Sequence, residues 1–359
     1  MDMRIPLVYA LHSGNLYGTE RMALSTAAGL VEDFAPIIMA PPGPAIEEAR
    51  RSGFETLPFQ NAWQFASGLR PVFARSKKIA FLATGVMHSS VCLALNLVYR
   101  RRVAHLHLVH GGASEKLSYG RKAKLNNRPV EFVAVSSYVR ERLIANGVNA
   151  AQIRVIENFL PPQRVASCPR REPFAGGGVR RLIVISRLDP EKRVDLLLEA
   201  LERDALEGDP EAVPYEVRVF GTGWNTEALK QRAASSRLNV IFEGFSSTVD
   251  EALAQSDLLV HLCPVEPFGL AIIEAMAAGV PVLAPDAGGA GSLLTDEVSG
   301  FHFRANDAES LRQKLRYIAG LSPEKLNAVV AQGDLLLATR YSEPARVGDY
   351  RRILMEQLA

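Results

Sequence analysis

Two glutamates stand in an otherwise apolar segment. Glu266 and Glu274 are separated by seven residues in VEPFGLAIIEAMAAGVPV, where nearly every other residue is apolar or small. A buried carboxylate without a partner is costly, so this pair needs compensation. Hydroxyl groups of a bound ligand would satisfy both, because one glutamate precedes a predicted helix and the other lies on it. The structural alternative, a glutamate that interacts with the dipole at the helix start, accounts for one carboxylate but explains both poorly.

Two basic residues follow another predicted strand. In SRLDPEKRVD, Arg187 comes at the strand end, and Lys192 lies in the first turn of a helix with Asp189 as its N-cap and Pro190 at its first position. Cations near a helix N-terminus oppose the helix dipole, so their placement favours an anion between them. A diphosphate would match an arginine fork and a lysine point charge. The alternative is an ordinary pair of surface cations.

Glycines mark further strand-to-helix junctions. In HSGNLYGTER, Gly14 and Gly18 allow a sharp turn and a close approach to a ligand, and Thr19 is predicted to cap a helix that begins near Glu20. The backbone N–H groups at that helix start would suit an anion. FGTGWN is a strand followed by Gly-x-Gly, but it lacks the full dinucleotide fingerprint, which argues against a nicotinamide oxidoreductase.

The elements that must position these residues alternate along the chain. Strand-like runs are IPLVYAL, APIIMAP, VAHLHLVH and EFVAVSS in the first half and RLIVIS, YEVRVF, NVIFEG, DLLVHL and PVLAP in the second. Apolar strands separated by helical patterns predict parallel sheets covered on both faces. Residues 158–180 are rich in Pro and Gly without a period, which predicts an exposed linker. The sequence therefore predicts two Rossmann-like domains and a cleft between them.

Composition is typical of a globular protein of two domains. The 359 residues are 48% hydrophobic and 22% charged. No apolar run reaches the roughly 18 residues of a membrane span, and the N-terminus resembles a first strand more than a signal peptide. Cys92, Cys168 and Cys263 are isolated, which argues against a disulfide framework or structural zinc and favours a cytoplasmic setting.

Charge is distributed unevenly between the two halves. Residues 1–163 carry 19 Lys and Arg against 11 Asp and Glu, whereas residues 164–359 carry 22 against 28. A basic first half favours an anionic partner, such as the inner face of a membrane or a phosphorylated acceptor. A solvated surface of uneven charge is the equal alternative. We expect no nucleic-acid partner.

The motifs together resemble a known family. Glu266-Pro-Phe-Gly-Leu-x-x-x-Glu274-Ala-Met-Ala-x-Gly-x-Pro-Val, with SRLDPEKRVD, VAVSSYVRERL, FGTG and PVLAPDAGG in order, resembles the retaining glycosyltransferases of family 4 over essentially the whole chain. The resemblance implies the α/β GT-B fold. It implies an acceptor-binding domain at 1–163, a donor-binding domain at 164–340, and a closing helix at 341–359 that returns to the first domain.

The resemblance also implies a reaction. A hexosyl group would be transferred from a UDP or GDP sugar to a hydroxyl of the acceptor, with retention at the anomeric carbon. The acceptor would be a polysaccharide, a lipid-linked glycan or a small molecule. No cofactor is implied. No histidine group has metal-ligand spacing and no Asp-x-Asp motif stands at a strand end, so we expect no metal.

Individual roles follow from the same resemblance. Arg187 and Lys192 would bind the diphosphate, Glu266 the sugar hydroxyls and Glu274 the ribose, while His110 would lie where donor and acceptor meet. Further substrate-binding positions would be Gly18, Glu20, Asn158, Gly221, Phe245, Phe268, Gly269 and Leu270.

Three positions depart from the family pattern. Tyr17 stands where a glycine is usual, Glu157 where a proline is usual, and Ser292 where a glutamate is common. Two other functions stay open: a sugar-nucleotide epimerase of the same architecture, which would consume donor without an acceptor, and a catalytically silent sugar-nucleotide-binding protein. The intact set of two cations and two glutamates argues against the silent protein.

Overall fold

The chain divides into two units in a computed structural model, which describes residues 4–112, 115–176, 178–206, 214–236, 238–246 and 249–359. The first unit comprises Met1–Phe159 and Glu343–Ala359, and the second comprises Leu160–Ser342. The boundaries expected from the sequence, after residues 163 and 340, lie within a few residues of these divisions.

A parallel seven-stranded sheet forms the centre of the first unit. Its strands are β1 (Ile5–Ala10), β2 (Phe34–Ala40), β3 (Glu55–Pro58), β4 (Lys78–Ala83), β5 (Arg102–Val109), β6 (Glu131–Ala134) and β7 (Ile153–Val155). Their order is β3-β2-β1-β4-β5-β6-β7, with the reversal beside β1 that is typical of Rossmann-like sheets. The helices are α1 (Gly18–Gly29), α2 (Pro44–Arg51), α3 (Ala62–Arg75), α4 (Val86–Tyr99), α5 (Glu115–Ser118) and α6 (Ser137–Ala145).

Two histidines of β5 belong to the core of this unit. His105 and His107 are fully buried, and both contact the hydroxyl of Ser89, at 3.0 Å and 2.8 Å. Aromatic rings of Phe81 and Phe132 pack edge-on against them. Burial keeps both imidazoles neutral, because it lowers the pKa of His105 to about 3 and that of His107 well below its ordinary value.

The second unit has a parallel six-stranded sheet. Its strands are β8 (Arg181–Ile185), β9 (Glu216–Phe220), β10 (Val240–Gly244), β11 (Leu258–Val260), β12 (Val282–Pro285) and β13 (Phe301–Phe303), in the order β10-β9-β8-β11-β12-β13. The helices are α7 (Pro162–Ser167), α8 (Val194–Leu206), α9 (Thr226–Ser235), α10 (Val249–Ala254), α11 (Leu270–Ala277), α12 (Gly288–Leu293), α13 (Ala308–Ala319) and α14 (Pro323–Thr339). All carboxyl ends of the parallel strands lie at one edge of this sheet, which brings together the loops that follow them.

The predicted exposed linker is wrong in one respect. Residues 160–176 and 178–180 belong to the second unit and include α7. The Arg171 guanidinium lies 3.4 Å from the centre of the buried Phe174 ring and donates to Asp257 at 3.0 Å. Asp257 also accepts from the backbone N–H groups of Arg180 and Arg181. These contacts fix the segment to the second unit, although its Pro and Gly content alone predicts a free linker.

The last helix, α15 (Glu343–Leu358), packs in the first unit, as the resemblance to the family predicts. Arg351 contacts Asp33 at 2.6 Å, and the amide of Gln357 accepts from the His105 N–H at 3.0 Å and donates to Glu131 at 2.9 Å. Within the described ranges, none of the helices is both long and apolar enough to traverse a bilayer.

Candidate active site

Arg187 lies on a loop that follows β8. Backbone hydrogen bonds from the neighbouring residues hold this loop on one side. The N–H of Ser186 donates to the carbonyl of Phe220 at 3.1 Å, and that of Leu188 donates to Thr222 at 3.0 Å. Gly221 has φ +123°, and a Cβ there would overlap the Ser186 carbonyl oxygen. The first glycine of FGTG therefore positions the arginine loop, because no other residue fits this approach.

The predicted helix start at Asp189 is wrong. Pro190–Lys192 forms a single 3₁₀ turn, Arg193 has a left-handed backbone (φ +54°), and α8 begins only at Val194. Lys192 therefore lies outside the first turn of α8. The sequence analysis expected this cation to oppose the dipole of α8 from within its first turn, and the structure does not place it there.

The Asp189 side chain forms an ion pair in place of the predicted cap. Its carboxylate contacts Arg187 at 2.6 Å and accepts from the N–H of Trp224 at 3.2 Å. Glu191 contacts the same guanidinium at 3.3 Å. Arg187 still exposes 65% of its side chain, so a ligand can reach it.

Glu266 and Lys192 form the central ion pair of the second unit. Lys192 Nζ lies 2.6 Å from Glu266 Oε2, and each side chain is 16% exposed. Burial opposes both charges, yet the attraction between them holds the pKa of Lys192 above and that of Glu266 below their ordinary values. The sequence predicted a ligand as the partner of Glu266, and the structure adds a counterion that the chain supplies from 74 residues away.

A pair of glycines holds the loop that carries Glu266. The N–H of Gly289 donates to the Glu266 carbonyl at 2.6 Å, and a Cβ at this glycine would overlap the carbonyl oxygen of Pro267. Gly288 has φ +70°. The sequence comparison matched DAGG to the family without giving these glycines a role. The structure shows that they let the start of α12 approach the loop.

His261 is a site residue that the sequence analysis missed. It follows β11 directly, is buried, and has its Nε2 3.7 Å from Glu266 Oε2, beyond hydrogen-bond distance. Burial lowers its pKa to about 4, so the ring is neutral at pH 7, and Nε2 has no hydrogen-bond partner. Its position at a strand's carboxyl end, just before the glutamate loop, was the signal that could have identified it.

Glu274 lies in the middle of α11 and is partly exposed. The guanidinium of Arg164 stands 3.8 Å from its carboxylate and forms a two-pronged contact with Asp250 at 2.8 Å and 3.1 Å. Each of the four charged residues predicted for the donor site thus has an opposite charge nearby in the second unit.

The other positions predicted in this unit differ in their surroundings. Phe268 is buried and packs edge-on against Tyr341 at 5.9 Å, which leaves its backbone as the part that can face a ligand. Gly269 has φ +101° and directly precedes α11, whose first residue is Leu270. Phe245 follows β10 and is 85% exposed.

Residues predicted for the first unit gather at the start of α1 and after the strands. Gly18 begins α1, and the Glu20 carboxylate accepts from the N–H of Tyr17 at 3.1 Å. Thr19 is the second helical residue, so the cap expected from it is wrong: Glu20 binds the N–H that precedes the helix. Asn158 is buried near the end of this unit's main segment.

His110 follows β5 and lines a cavity of about 570 Å³ within the first unit. Its Nε2 has no hydrogen-bond partner, and burial, with a smaller effect of His12, lowers its pKa to about 4. His12 Nδ1 contacts Thr84 Oγ1 at 2.8 Å in the same cavity. The sequence analysis gave His12 and Thr84 no role, although both directly follow strand ends.

The part of the chain that the structure describes contains no group of three or more His, Cys, Asp or Glu side chains placed to hold a metal ion. The three cysteines are free.

Two family models together match most of the chain. "Glycosyltransferase Family 4" matches residues 16–164, and "Glycosyl transferases group 1" matches residues 170–334. The chain belongs to glycosyltransferase family 4.

Several curated proteins are similar to parts of this family member. The GDP-mannose-dependent alpha-mannosyltransferase of Mycobacterium tuberculosis is 30% identical over 47% of this chain and 42% of its own length. The Poly(glycerol-phosphate) alpha-glucosyltransferase of Bacillus subtilis is 26% identical over 50% of this chain and 26% of its own length. The chain thus spans less than half the length of these relatives.

Solved structures resemble the whole chain. A glycosyltransferase from Rickettsia africae ESF-5 superposes with a TM-score of 0.80 at 19% identity, covering 99% of both chains. Anabaena Alr3699/HepE in complex with UDP gives a TM-score of 0.80 at 18% identity, covering 98% of this chain and 100% of that chain. These similarities confirm the predicted α/β GT-B fold with two Rossmann-like units.

Proposed function

We propose that this protein is a retaining glycosyltransferase that moves a hexosyl group from a nucleoside diphosphate sugar to an acceptor hydroxyl. One observation carries the proposal. Arg187, Lys192 and Glu266 gather at the carboxyl ends of β8 and β11, in a family 4 chain, on loops held by two glycine pairs. Ligands of open α/β sheets bind at this edge. Retention is inferred from the resemblance to the family.

The donor site would act through charges that are already in place. Arg187 and Lys192 would contact the diphosphate, and the negative charge that grows on it as the sugar leaves would be stabilised by cations that need no rearrangement. Glu266 keeps acceptor capacity beyond its contact with Lys192, because a carboxylate accepts about four hydrogen bonds. Donor-sugar hydroxyls would use that capacity, and Glu274 would accept from the ribose.

Basic side chains take the diphosphate's charge in this proposal, so transfer would require neither a metal ion nor a cofactor. The first unit would bind the acceptor, through residues that include Gly18, Glu20, His110 and Asn158. In the second unit, Gly221, Phe245 and the backbone of 268–270 would complete the donor site.

The comparisons support a UDP or GDP donor and a glycan acceptor. One relative is by name GDP-mannose-dependent, one solved neighbour is a complex with UDP-glucose, and another is a complex with Fondaparinux, alpha-GlcNAc-glycerol and UDP. We further propose a role in polysaccharide synthesis.

The test begins with calorimetry of UDP, GDP and their sugars, followed by transfer assays in which NMR reads the anomeric configuration of the product. Arg187→Gln should lower transfer by about a hundred- to a thousandfold, as loss of a preorganised charge contact does. Arg203→Gln is the matched control, because Arg203 pairs only with Glu199 on the surface of α8 among the contacts described.

Three results would contradict parts of the proposal. Absence of binding by any nucleoside diphosphate would reject the donor site. Consumption of the donor at the same rate without any acceptor would favour the epimerase. A complete loss of transfer in EDTA that Mg²⁺ or Mn²⁺ restores would reject metal independence.

We also propose a cytoplasmic location with peripheral contact to an anionic membrane through the first unit. Leu97 and Val98 on α4 are 80% and 75% exposed, and Leu97 shares a shallow groove with Lys124 and Arg128. Exposed apolar side chains beside cations are typical of surfaces that bind anionic lipid. Flotation with phosphatidylglycerol vesicles should show binding that weakens as salt rises. Equal, negligible binding to neutral and acidic vesicles would favour the solvated surface.

A further inference from the structure

The cavity of the first unit lies at the carboxyl edge of its sheet. His12, Pro41, Phe59, Thr84 and His110 line it, and each comes within two residues of the end of one of the strands β1 to β5. Its volume of about 570 Å³ is enough for a monosaccharide-sized ligand. The ligand class that it would take follows from its polar groups.

Two imidazoles that line this cavity have unsatisfied nitrogens. His88 Nδ1 and His110 Nε2 are buried and have no hydrogen-bond partner. His88 is only 2% exposed, and its ring is fixed against Phe59 and Phe65 at centroid distances of 5.3 Å and 4.8 Å. Buried polar atoms are rarely left without partners, so these two nitrogens indicate a polar ligand.

Both rings are neutral at pH 7. Burial, with a smaller contribution from His12, lowers the pKa of His88 to about 4, as it does for His110. A neutral imidazole has one donor and one acceptor nitrogen. That combination matches hydroxyl groups, which can accept from one ring and donate to another.

Two cations line the same cavity. Arg121 and Lys122 come from the 3₁₀ helix Gly120–Leu125, and Lys122 Nζ donates to the Leu117 carbonyl at 3.3 Å. Among the described side chains, which do not include that of Glu115, no carboxylate lies within ion-pair distance of either cation, and no Asp or Glu is among the lining residues. Burial lowers the pKa of His12, and Glu20, which accepts from the backbone N–H of Tyr17, opposes that shift.

The charged form of Lys122 is destabilised in this position. Partial burial first, and then the adjacent Arg121, lower its pKa to about 8. A partly desolvated cation beside a like charge is stabilised when an anion binds to both. In the second unit Glu266 provides that anion for Lys192, whereas no described side chain provides one for Lys122.

We infer that this cavity binds an acceptor that carries an anionic group, a phosphate or a carboxylate, next to its sugar or polyol hydroxyls. Arg121 and Lys122 hold the anion, and His88 and His110 contact the hydroxyls. This inference rests on the proposed glycosyl transfer, since it names the class of acceptor.

The test measures binding to the full chain without any transfer step. Calorimetry compares glucose, glucose 6-phosphate and glucuronic acid, whose two anionic members separate phosphate from carboxylate. We expect at least one anionic sugar to bind about tenfold or more tightly than glucose, with an affinity that falls as salt rises. Lys122→Gln should weaken that binding by about ten- to a hundredfold.

Lys116→Gln is the matched control. Lys116 is an exposed cation on the neighbouring α5 and does not line the cavity, so its loss should leave the affinity unchanged. Circular dichroism of each variant verifies the fold, and Arg121→Gln provides a second variant should Lys122→Gln unfold.

The results separate this inference from the proposed function. Equal affinity for glucose and both anionic sugars, no binding by either anionic sugar, or affinities unchanged in both variants would overturn the acceptor class. UDP binding, measured on the same preparation, reports on the second unit. If UDP binds and the anionic sugars do not, the acceptor class is wrong and the proposed function stands. If the anionic sugars bind through Lys122 and no nucleoside diphosphate binds, the cavity stands and the proposed function falls.

Discussion

The two units place polar groups at equivalent edges of their sheets in opposite ways. In the second unit, Lys192 and Glu266 neutralise each other at 2.6 Å, and Asp189 does the same for Arg187. In the first unit, His88 and His110 are neutral through burial, and Lys122 meets no described carboxylate.

The difference has a physical reason. A charge in a partly buried site is stabilised by a counterion or is lost by a change of protonation state. Pairing keeps the charges of the second unit at any pH near neutrality, which suits a donor whose diphosphate charge is always present. Neutral rings with open nitrogens suit hydroxyl groups. The comparison predicts that the two units respond differently to acid, to loss of charge and to ligands.

Acid should distinguish the units most strongly. The pKa values of His88, His105 and His110 are about 4, 3 and 4 in the folded protein, far below the ordinary 6.5. Below pH 6.5 these histidines bind protons in the unfolded chain but stay neutral in the folded chain, so the free energy of unfolding falls as pH falls. Each of these histidines should cost about 2 kcal/mol at pH 5 relative to pH 7. In the second unit, burial lowers the pKa of His261 to about 4 and also lowers that of His302, and Asp257, with a pKa of about 2, loses its stabilising contribution only below about pH 4.

Hydrogen exchange of peptides from β5 and β11, corrected for the intrinsic effect of pH, measures this difference. The β5 peptide should lose more protection between pH 7 and pH 5. His105→Gln should reduce the acid sensitivity of the first unit by that histidine's share. Parallel losses in both strands would contradict the contrast between the units.

Loss of one member of the central ion pair should give the next largest effect. Lys192→Met leaves Glu266 without its counterion in a site where each side chain is 16% exposed, and should lower the free energy of unfolding by about 3 kcal/mol. Adding Glu266→Gln should recover most of that loss, because no unpaired charge then remains. Urea unfolding followed by exchange in β8 gives the values.

A suitable control is Lys230→Met, since Lys230 and Glu227 form an exposed pair one turn apart and should contribute under about 0.5 kcal/mol. A double variant no more stable than Lys192→Met would show that the two charges are not coupled.

Variants of Glu266 and Glu274 should separate the recognition of the donor sugar from that of the nucleotide. Glu274→Gln should weaken UDP or GDP binding by about ten- to a hundredfold, the value of a hydrogen bond to a charged group. Glu266→Gln should leave binding of the bare nucleotide near that of the native protein while it strongly reduces transfer. Calorimetry with nucleotide and with full donor distinguishes these effects. If both variants bind and transfer normally and merely melt earlier, the carboxylates are structural.

Arg164→Gln should have the smallest effect. Its guanidinium is partly exposed and stands 3.8 Å from Glu274, so the contact should contribute less than about 1 kcal/mol. Nucleotide affinity should therefore fall by less than about fivefold. A loss as large as that of Glu274→Gln would mean that Arg164 orients the glutamate, and the donor site would then extend to α7.

The sequence analysis identified most strands but not their order in the sheets. Long apolar runs correctly indicated β1, β2, β5 and β6 and the strands from β8 to β12. The sequence analysis missed β3, β7 and β13, which are short edge strands with few apolar residues in a row. It also passed over β4, although KIAFLA is an apolar run of the usual kind.

Local chemistry was determined by the sequence alone. Glu266, Gly269 and Gly279 stand in one contiguous motif, and the positive φ angles of both glycines, +101° and +70°, follow from residue type and position beside a short helix. Motifs of this kind are readable because each residue's role depends on neighbours in the chain.

Pairing between distant segments was decided by the tertiary structure. Lys192 meets Glu266 because β8 and β11 are adjacent in the sheet, and Gly289 supports the same loop from β12's side. His88, His110 and Lys122 share a cavity for the same reason: parallel strands bring their carboxyl ends to one edge, whatever their separation in sequence. Which charges are neutralised within the chain, and which meet no described counterion, depends on that strand order and on burial. Neither is written in a local pattern of residues.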